Sequence, residues 1–267
     1  MAVPQKVMDR FTKEVKRFQD ILKNAKDRDV NEADTVVIIT DMLASIFGYD
    51  KYAEITREFA IRGTYCDLAV KENGAVKYLI EVKAIGLDLK ESYVKQAVDY
   101  GANKGVKYVI LTNGMLWNVY GIKYDRPIQT ELVFSLDFLT LNPRSNDAQE
   151  ALYLLCKEAI SRAAIETYHE RQKTINRFTI SALVLSGPTI DVIRREIKRI
   201  APGVKVDNLE IENILKNEVL KREVLDGDAA KEAGTRVKKA LSKAAKSKEA
   251  SPAPIVTASE LTTREAV

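Results

Sequence analysis

Histidine, cysteine and tryptophan are scarce in this chain, and long apolar runs are missing. Its 267 residues hold one histidine, two cysteines and one tryptophan. A lone His169 excludes the paired histidines of an HExxH metalloprotease and any histidine-rich metal centre. Cys66 and Cys156 lie far apart with no CxxC spacing, which excludes a zinc knuckle and gives no disulfide framework. No GxxxxGK[ST] loop is present, so nothing cradles the phosphates of a nucleotide that would drive a motor. No apolar run reaches the roughly 18 residues of a membrane-spanning helix. The N-terminal Met-Ala-Val-Pro-Gln-Lys lacks the apolar core of a signal peptide. These absences point to a cytoplasmic protein without a membrane partner.

What is present is ordinary for a folded domain: 46% hydrophobic and 30% charged residues. That length holds one large domain or two modest ones. The formal charge of +4 is uneven. Between Lys231 and Lys248 seven basic residues against Glu232 alone give +6, so the rest of the chain is net −2. Basicity therefore belongs to the tail, where it adds nonspecific attraction to polyanions or is simply a solvated run.

Val7, Phe11, Val15, Phe18, Ile21 and Leu22 form an apolar stripe at helical spacing over 4–26. Asn31 caps a second helix from Glu32 to about Phe47, with Glu32 and Asp34 at its positive end. Strand patterns follow over 55–61, 65–70 and 75–84, punctuated by Gly63 and Asn73-Gly74. A helix is expected over 87–103, then a buried strand over 106–112, an Asn113-Gly114 turn and a strand over 115–120. Residues 1–140 thus read as an α/β domain, a mixed sheet flanked by helices. The linker 141–146 leads to a smaller all-helical segment over 147–226. Its expected helices cover 148–170, 174–185, 188–200 and 209–224. From 228 to 267 composition turns Ala/Lys/Ser/Thr-rich, and a basic, largely disordered tail is expected, with a transient helix over 229–247. His169 reads as an exposed helical residue.

Three charged residues sit inside the best strand patterns: Asp67 in Thr64-Tyr-Cys-Asp67, and Glu81 and Lys83 in Tyr78-Leu-Ile-Glu81-Val-Lys83. Ionised groups in an apolar setting are costly unless they pair or bind a metal. Period-two alternation puts Glu81 and Lys83 on one face of their strand, and Asp67 on a face with Tyr65 and Ala69, opposite Cys66, Leu68 and Val70. A two-residue Asn73-Gly74 turn alone would pair 72 with 75 and send Asp67 and Glu81 to opposite faces. Convergence therefore requires a three-residue connection over 73–75, with Gly74 at positive φ, or a bulge.

Magnesium takes one or two carboxylates, keeps several waters and binds substrate phosphate. Asp67 and Glu81, with the Val82 carbonyl between Glu81 and Lys83, suit that demand, and Mn2+ could substitute. Lys83 would orient the attacking water or neutralise charge at phosphorus; as a base it would need a depressed pKa, which two neighbouring carboxylates oppose. The next helix carries Gln96 and Tyr100 at i and i+4, placed to orient water or lysine and to bond a carboxylate or phosphate. Glu32 is a further acid, acting through the metal's water shell. Arg57, Arg62, Lys90, Lys95 and Lys104 flank the presumed cleft as candidate phosphate contacts. Glu-X-Lys alone is a weak signal on any hairpin; the whole set carries the reading.

This arrangement resembles the PD-(D/E)XK nuclease superfamily and, more closely, the N-terminal nuclease domain of type I restriction enzyme R subunits. The resemblance covers about 25–140: Asn31-Glu32, Leu43 to Asp50, Arg57-Glu58, Asp67, Glu81-Val-Lys83, Gln96-xxx-Tyr100 and Leu111-Thr-Asn-Gly-Met-Leu-Trp117. It implies a restriction-endonuclease-like fold, Asp67 and Glu81 as metal ligands, Lys83 as the catalytic lysine, and Gln96 and Tyr100 in support. Cys66 stands where the family's motif has proline. No helicase motor accompanies the motif, so translocation is not implied.

The function expected on this basis is Mg-dependent endonucleolytic hydrolysis of DNA, in restriction, phage defence or a mobile element. Its expected partners are DNA, a second copy of the chain, and a partner motor or specificity protein. The alternative is a DNA-binding or assembly subunit on a nuclease fold with little or no cleavage. A third reading is a repair or recombination nuclease that needs a partner motor.

Overall fold

The computed structural model describes residues 2–61, 64–124 and 127–249. It divides into two compact units, Met1–His169 and Glu170–Val267.

In the first unit, helix α1 (Gln5–Asp27) buries Val7, Phe11, Val15, Phe18 and Leu22, the stripe its periodicity announces. Helix α2 (Glu32–Ser45) begins at Asn31, whose side chain accepts from the Asp34 amide and satisfies a free helix-end donor. Six strands follow: β1 (Ile55–Ile61), β2 (Thr64–Glu72), β3 (Ala75–Val82), β4 (Tyr108–Thr112), β5 (Leu116–Lys123) and β6 (Gln129–Asp137), in that order across one sheet. All neighbours are antiparallel except β3 and β4, which are parallel. Helix α3 (Glu91–Lys104) makes the crossover that a parallel pair requires, and Gly105 ends it at φ 68°. The sheet is therefore mixed and the fold α/β, as expected.

Two clusters cover its faces. Helices α1 and α2 pack with Leu68, Val70, Ile80, Val82, Ile110 and Trp117 on one side. Helix α3 packs Val94, Ala97 and Val98 with Ala69, Leu79, Val109 and Leu111 on the other. Each such large side chain contributes roughly 1.5–3 kcal/mol when fully withdrawn from water.

Three elements depart from expectation. Strand β6 was not anticipated; its exposed Leu132 and polar Gln129, Thr130 and Glu131 blur the alternation, and the β5–β6 register shifts between Val119 and Tyr120. Helix α3 starts at Glu91, not near 87, because the chain turns first: the Leu87 amide donates to the Ala84 carbonyl, and the Asn113 side chain donates to the carbonyls of Ile85 and Leu87 and holds that turn. The expected long helix over 148–170 is three: α4 (Asn146–Leu154), α5 (Lys157–Ile160) and α6 (Ala164–Thr174). At the first break the Lys157 amide donates to Phe47 and the Leu155 carbonyl accepts from the Tyr49 hydroxyl, so partners outside the helix take its backbone groups. Ala163 at φ 48° marks the second.

Helices α4 and α5 and the start of α6 share the sheet's core through Leu152, Tyr153, Leu155, Ala159 and Ile165, although the sequence groups them with the helical segment. The Gln19 amide donates to the carbonyls of Phe138, Leu139 and Leu141, and the Arg10 guanidinium forks onto Glu158 of α5, so α1 fastens the end of the sheet and the helices that follow it. His169 is not an exposed residue. Its ring packs on Tyr108 and against Gly121, and Nε2 lies 3.4 Å from Glu131.

The second unit holds α7 (Arg177–Val184), α8 (Gly187–Ile200) and α9 (Asn208–Ile214), which continues through one π turn to Val219. It closes with α10 (Asp228–Glu249). Where the sequence suggested disorder with a transient helix, α10 is continuous. Ala233 and Val237 bury one stripe, and Arg236 bonds Glu170, Thr174 and the Lys173 carbonyl. Residues 250–267 of the expected tail lie outside the described residues. Among the described residues no helix is long and apolar enough to cross a membrane.

Candidate active site

The hairpin between β2 and β3 is built on Asn73 and Gly74, both at positive φ (52° and 79°). Glu72 pairs with Ala75 and Lys71 with Val76, the register of a two-residue turn. Beyond that the register shifts: Val70 pairs with Tyr78, Ala69 with Leu79 and Leu68 with Ile80. Lys77 is thus the extra residue on β3, a β-bulge, and the second of the two solutions the spacing allows. Continued by one step, the shifted register sets Asp67 opposite Glu81. Without the bulge Asp67 would face Ile80, and the two carboxylates would lie on opposite sides of the sheet.

The acids do converge. The Val82 amide, just past the last β2–β3 pair, donates to Asp67 Oδ2 at 2.7 Å, so the aspartate takes the ladder's place there. Glu81 is 3% exposed. Its Oε1 accepts from Lys83 Nζ at 2.9 Å, while Oε2 is buried with no hydrogen-bond partner. A carboxylate oxygen left this way loses hydration without recompense, which is costly unless something else binds it. Lys83 Nζ also lies 3.4 Å from Glu32 at the start of α2 and 5.6 Å above the Tyr93 ring of α3.

These contacts set the electrostatics. Burial raises the Glu81 carboxyl above its ordinary range, and Asp67 and Glu32 push the same way against the Lys83 hydrogen bond. Burial also raises Asp67; the Val82 amide and Lys83 oppose it, while Glu32 and Glu58 reinforce it. For Lys83, burial pulls the pKa down, but the hydrogen bond and charge of Glu81, with Glu32 and Asp67, outweigh it and raise the pKa. The amine is therefore an ammonium, suited to stabilising negative charge and not to accepting a proton. The Cys66 thiol beside these acids is raised by burial to about 12 and stays neutral.

One orientation differs from the alternation rule. Cys66 packs with Ala69 on the α3 side of the sheet, although period two places them on opposite faces. Glu58, opposite Asp67 in β1, sits at φ 47°, and this left-handed residue interrupts the alternation of both strands.

The remaining expected residues fall as follows. Glu32 reaches the site through Lys83 and not by joining Asp67 and Glu81. Among the described residues no three His, Cys, Asp or Glu side chains are grouped to hold a metal. Gln96 and Tyr100 lie in α3, and Lys104 ends it, but their side chains lie outside the described residues, as does Arg62. Arg57 on β1 and Lys90 and Lys95 at the start of α3 are exposed cations. Two neighbours were missed. Tyr93 precedes Gln96 by three and Tyr100 by seven, a helical spacing that could have flagged it. Glu58 is named only within the Arg57-Glu58 pair of the resemblance, with no role at the site.

Two carboxylates on adjacent strands, one with an orphaned oxygen, fit a hard divalent cation, which asks for one or two such ligands beside water and phosphate. No curated protein and no solved structure gave a match. A family model does match: residues 31–133, from the cap of α2 into β6, fit the Type I restriction enzyme R protein N terminus. The match spans the Asp67, Glu81 and Lys83 strands and the crossover helix, and over that stretch the chain is similar to the N-terminal region of type I restriction enzyme R proteins, a restriction-enzyme-like nuclease domain.

Proposed function

We propose that this chain is a magnesium-dependent endonuclease that hydrolyses DNA phosphodiester bonds, acting in restriction, phage defence or a mobile element. The single observation that carries the reading is the bulge at Lys77, which brings Asp67 and Glu81 together with one glutamate oxygen unsatisfied. Asp67, Glu81 Oε2 and the Val82 carbonyl would hold the cation. When bound, it supplies Lewis-acid polarisation of the phosphate and lowers the pKa of water. Lys83 holds its ammonium against the reacting phosphate and offsets the charge that develops at phosphorus. Tyr93 shields that ammonium from bulk water and keeps it close to Glu81. Gln96 and Tyr100 would orient the water and bond phosphate oxygens from α3. Arg57, Arg62, Lys90, Lys95 and Lys104 would grip the flanking backbone. DNA is the partner this reading names, with a second copy, a motor or a specificity protein supplying what one sheet domain lacks.

The test is cleavage of supercoiled plasmid and of single-stranded DNA by the full chain, with Mg2+ or EDTA, beside Lys83→Ala and Glu81→Gln. Metal-dependent nicking that both variants lose supports the proposal. DNA binding without cleavage by the native chain would replace it with a binding or assembly role.

A further inference from the structure

The N-terminal ends of β3 and β4, with Ile160 of α5 and Glu166 of α6, line a cleft of about 230 Å3 in the first unit. Drug-sized ligands occupy larger sites, so this one suits a small molecule. Tyr78 and Tyr108 pair across the two strands, which sets their side chains next to each other on one face of the sheet. They are 6% and 7% exposed, and both line the cleft. Neither phenol hydroxyl has a hydrogen-bond partner among the described residues, yet neither oxygen is sealed from solvent. Buried hydroxyls are ordinarily bonded, so two of them side by side and reachable through one cleft call for partners from outside the chain. Burial, and then the charge of Glu166, raise both phenols, Tyr108 to about 12, so each keeps its proton. Glu166 is half-buried and has no hydrogen bond or ion pair among the described residues. Two lysines share the lining. Lys77 is engaged by Glu72 at 3.4 Å, but Lys107 has no ion pair among the described residues. A carboxylate and an ammonium thus line one cleft without meeting.

We infer that this cleft binds an α-amino acid with a short side chain, as its zwitterion. A simple anion would be repelled by Glu166, and a simple cation by the lysines. A phenol both accepts and donates, so the two tyrosines suit a ligand that carries both charges. The ligand ammonium donates to the Glu166 carboxylate and to the phenol oxygens. The phenol hydroxyls donate to the ligand carboxylate, which faces Lys107, and Val76 and Ile160 are left for the side chain. None of these groups touches Asp67, Glu81 or Lys83, and the inference does not depend on cleavage.

Calorimetric titration of the full chain with L-alanine, and separately with propionate and ethylamine, tests it. Alanine should saturate one site per chain, and the two compounds that keep only one of its charged groups should each bind at least about tenfold more weakly. Glu166→Gln should weaken alanine about tenfold by removing the charged acceptor. Tyr78→Phe and Tyr108→Phe should each weaken it about fivefold, and should leave the melting midpoint unchanged or raised, since neither hydroxyl is bonded within the fold. Lys107→Gln should weaken alanine about two- to threefold, as an exposed charge does, and should not weaken ethylamine. No saturation of the native chain by alanine, the result if the cleft takes only water, overturns the inference, and so does binding that Glu166→Gln leaves intact. Propionate or ethylamine binding as tightly as alanine overturns the amino-acid class.

Discussion

Replacing Lys83 by methionine removes the cation that Glu81 touches. The side chains of Lys83 and Glu81 are 14% and 4% exposed, so solvent screens the pair poorly. Removing one partner of a buried pair costs about 3–5 kcal/mol, chiefly because the other charge is stranded. The Glu32 contact adds little, since that side chain is 47% exposed. For a chain of this size each kcal/mol moves the midpoint by about 2–4 °C, so Lys83→Met should lower it by on the order of 10 °C near pH 8. The sign with pH follows from Glu81. Its folded pKa is already raised, and loss of the ammonium raises it further. An acid shifted upward destabilises the fold above its folded pKa and ceases to do so below its unfolded value, so the deficit should shrink as pH falls from 8 toward 5. Adding Glu81→Gln to Lys83→Met should recover at least half of the loss, and a double-mutant cycle isolates the coupling. Thermal melts followed by circular dichroism at both pH values provide the data. A midpoint for Lys83→Met within about 2 °C of the native chain at pH 8 would refute a buried, mutually dependent pair.

Other outcomes follow from the same geometry. Deleting Lys77 takes out the extra residue and leaves both registers of the hairpin continuous, so Asp67 still meets Glu81; plasmid cleavage should persist, and its loss in a folded protein would contradict the bulge assignment. Because burial raises both Asp67 and Glu81, native stability should increase as pH is lowered from 8 toward their unfolded range, and Asp67→Asn/Glu81→Gln should flatten that slope in urea titrations. Gly114→Ala should destabilise by about 1–2 kcal/mol from the left-handed backbone alone. There φ is 85° and the new Cβ would stand 2.8 Å from Leu22, so calorimetric melting should register more than that floor.

The strong periodic signals were legible in the sequence. The α1 stripe, the Asn31 cap and the Asn73-Gly74 turn each follow from local chemistry, and each appears where spacing puts it. Parity alone demanded either a longer turn or a bulge; which of the two, and that Lys77 would be the displaced residue, depends on packing against both sheet faces. Strand β6 escaped because an edge strand beside a register shift loses its alternation. The first break in 148–170, between α4 and α5, depends on Phe47 and Tyr49, more than a hundred residues earlier, and no local pattern carries such contacts. At the site, Asp67, Glu81 and Lys83 were readable because charge inside a buried pattern is costly. Tyr93 shares a helix face with Gln96 and Tyr100, but an aromatic there ordinarily reads as core, so the spacing alone gives it no role.

The central claim is that Asp67 and Glu81 jointly hold a divalent cation beside Lys83. Calorimetric titration of the full chain with Mn2+, in the presence of a non-hydrolysable oligonucleotide, addresses it most directly. Uptake should be saturable, abolished by Asp67→Asn and by Glu81→Gln, and only weakened by Glu32→Gln. Uptake that survives both substitutions, or none by the native chain, would contradict it.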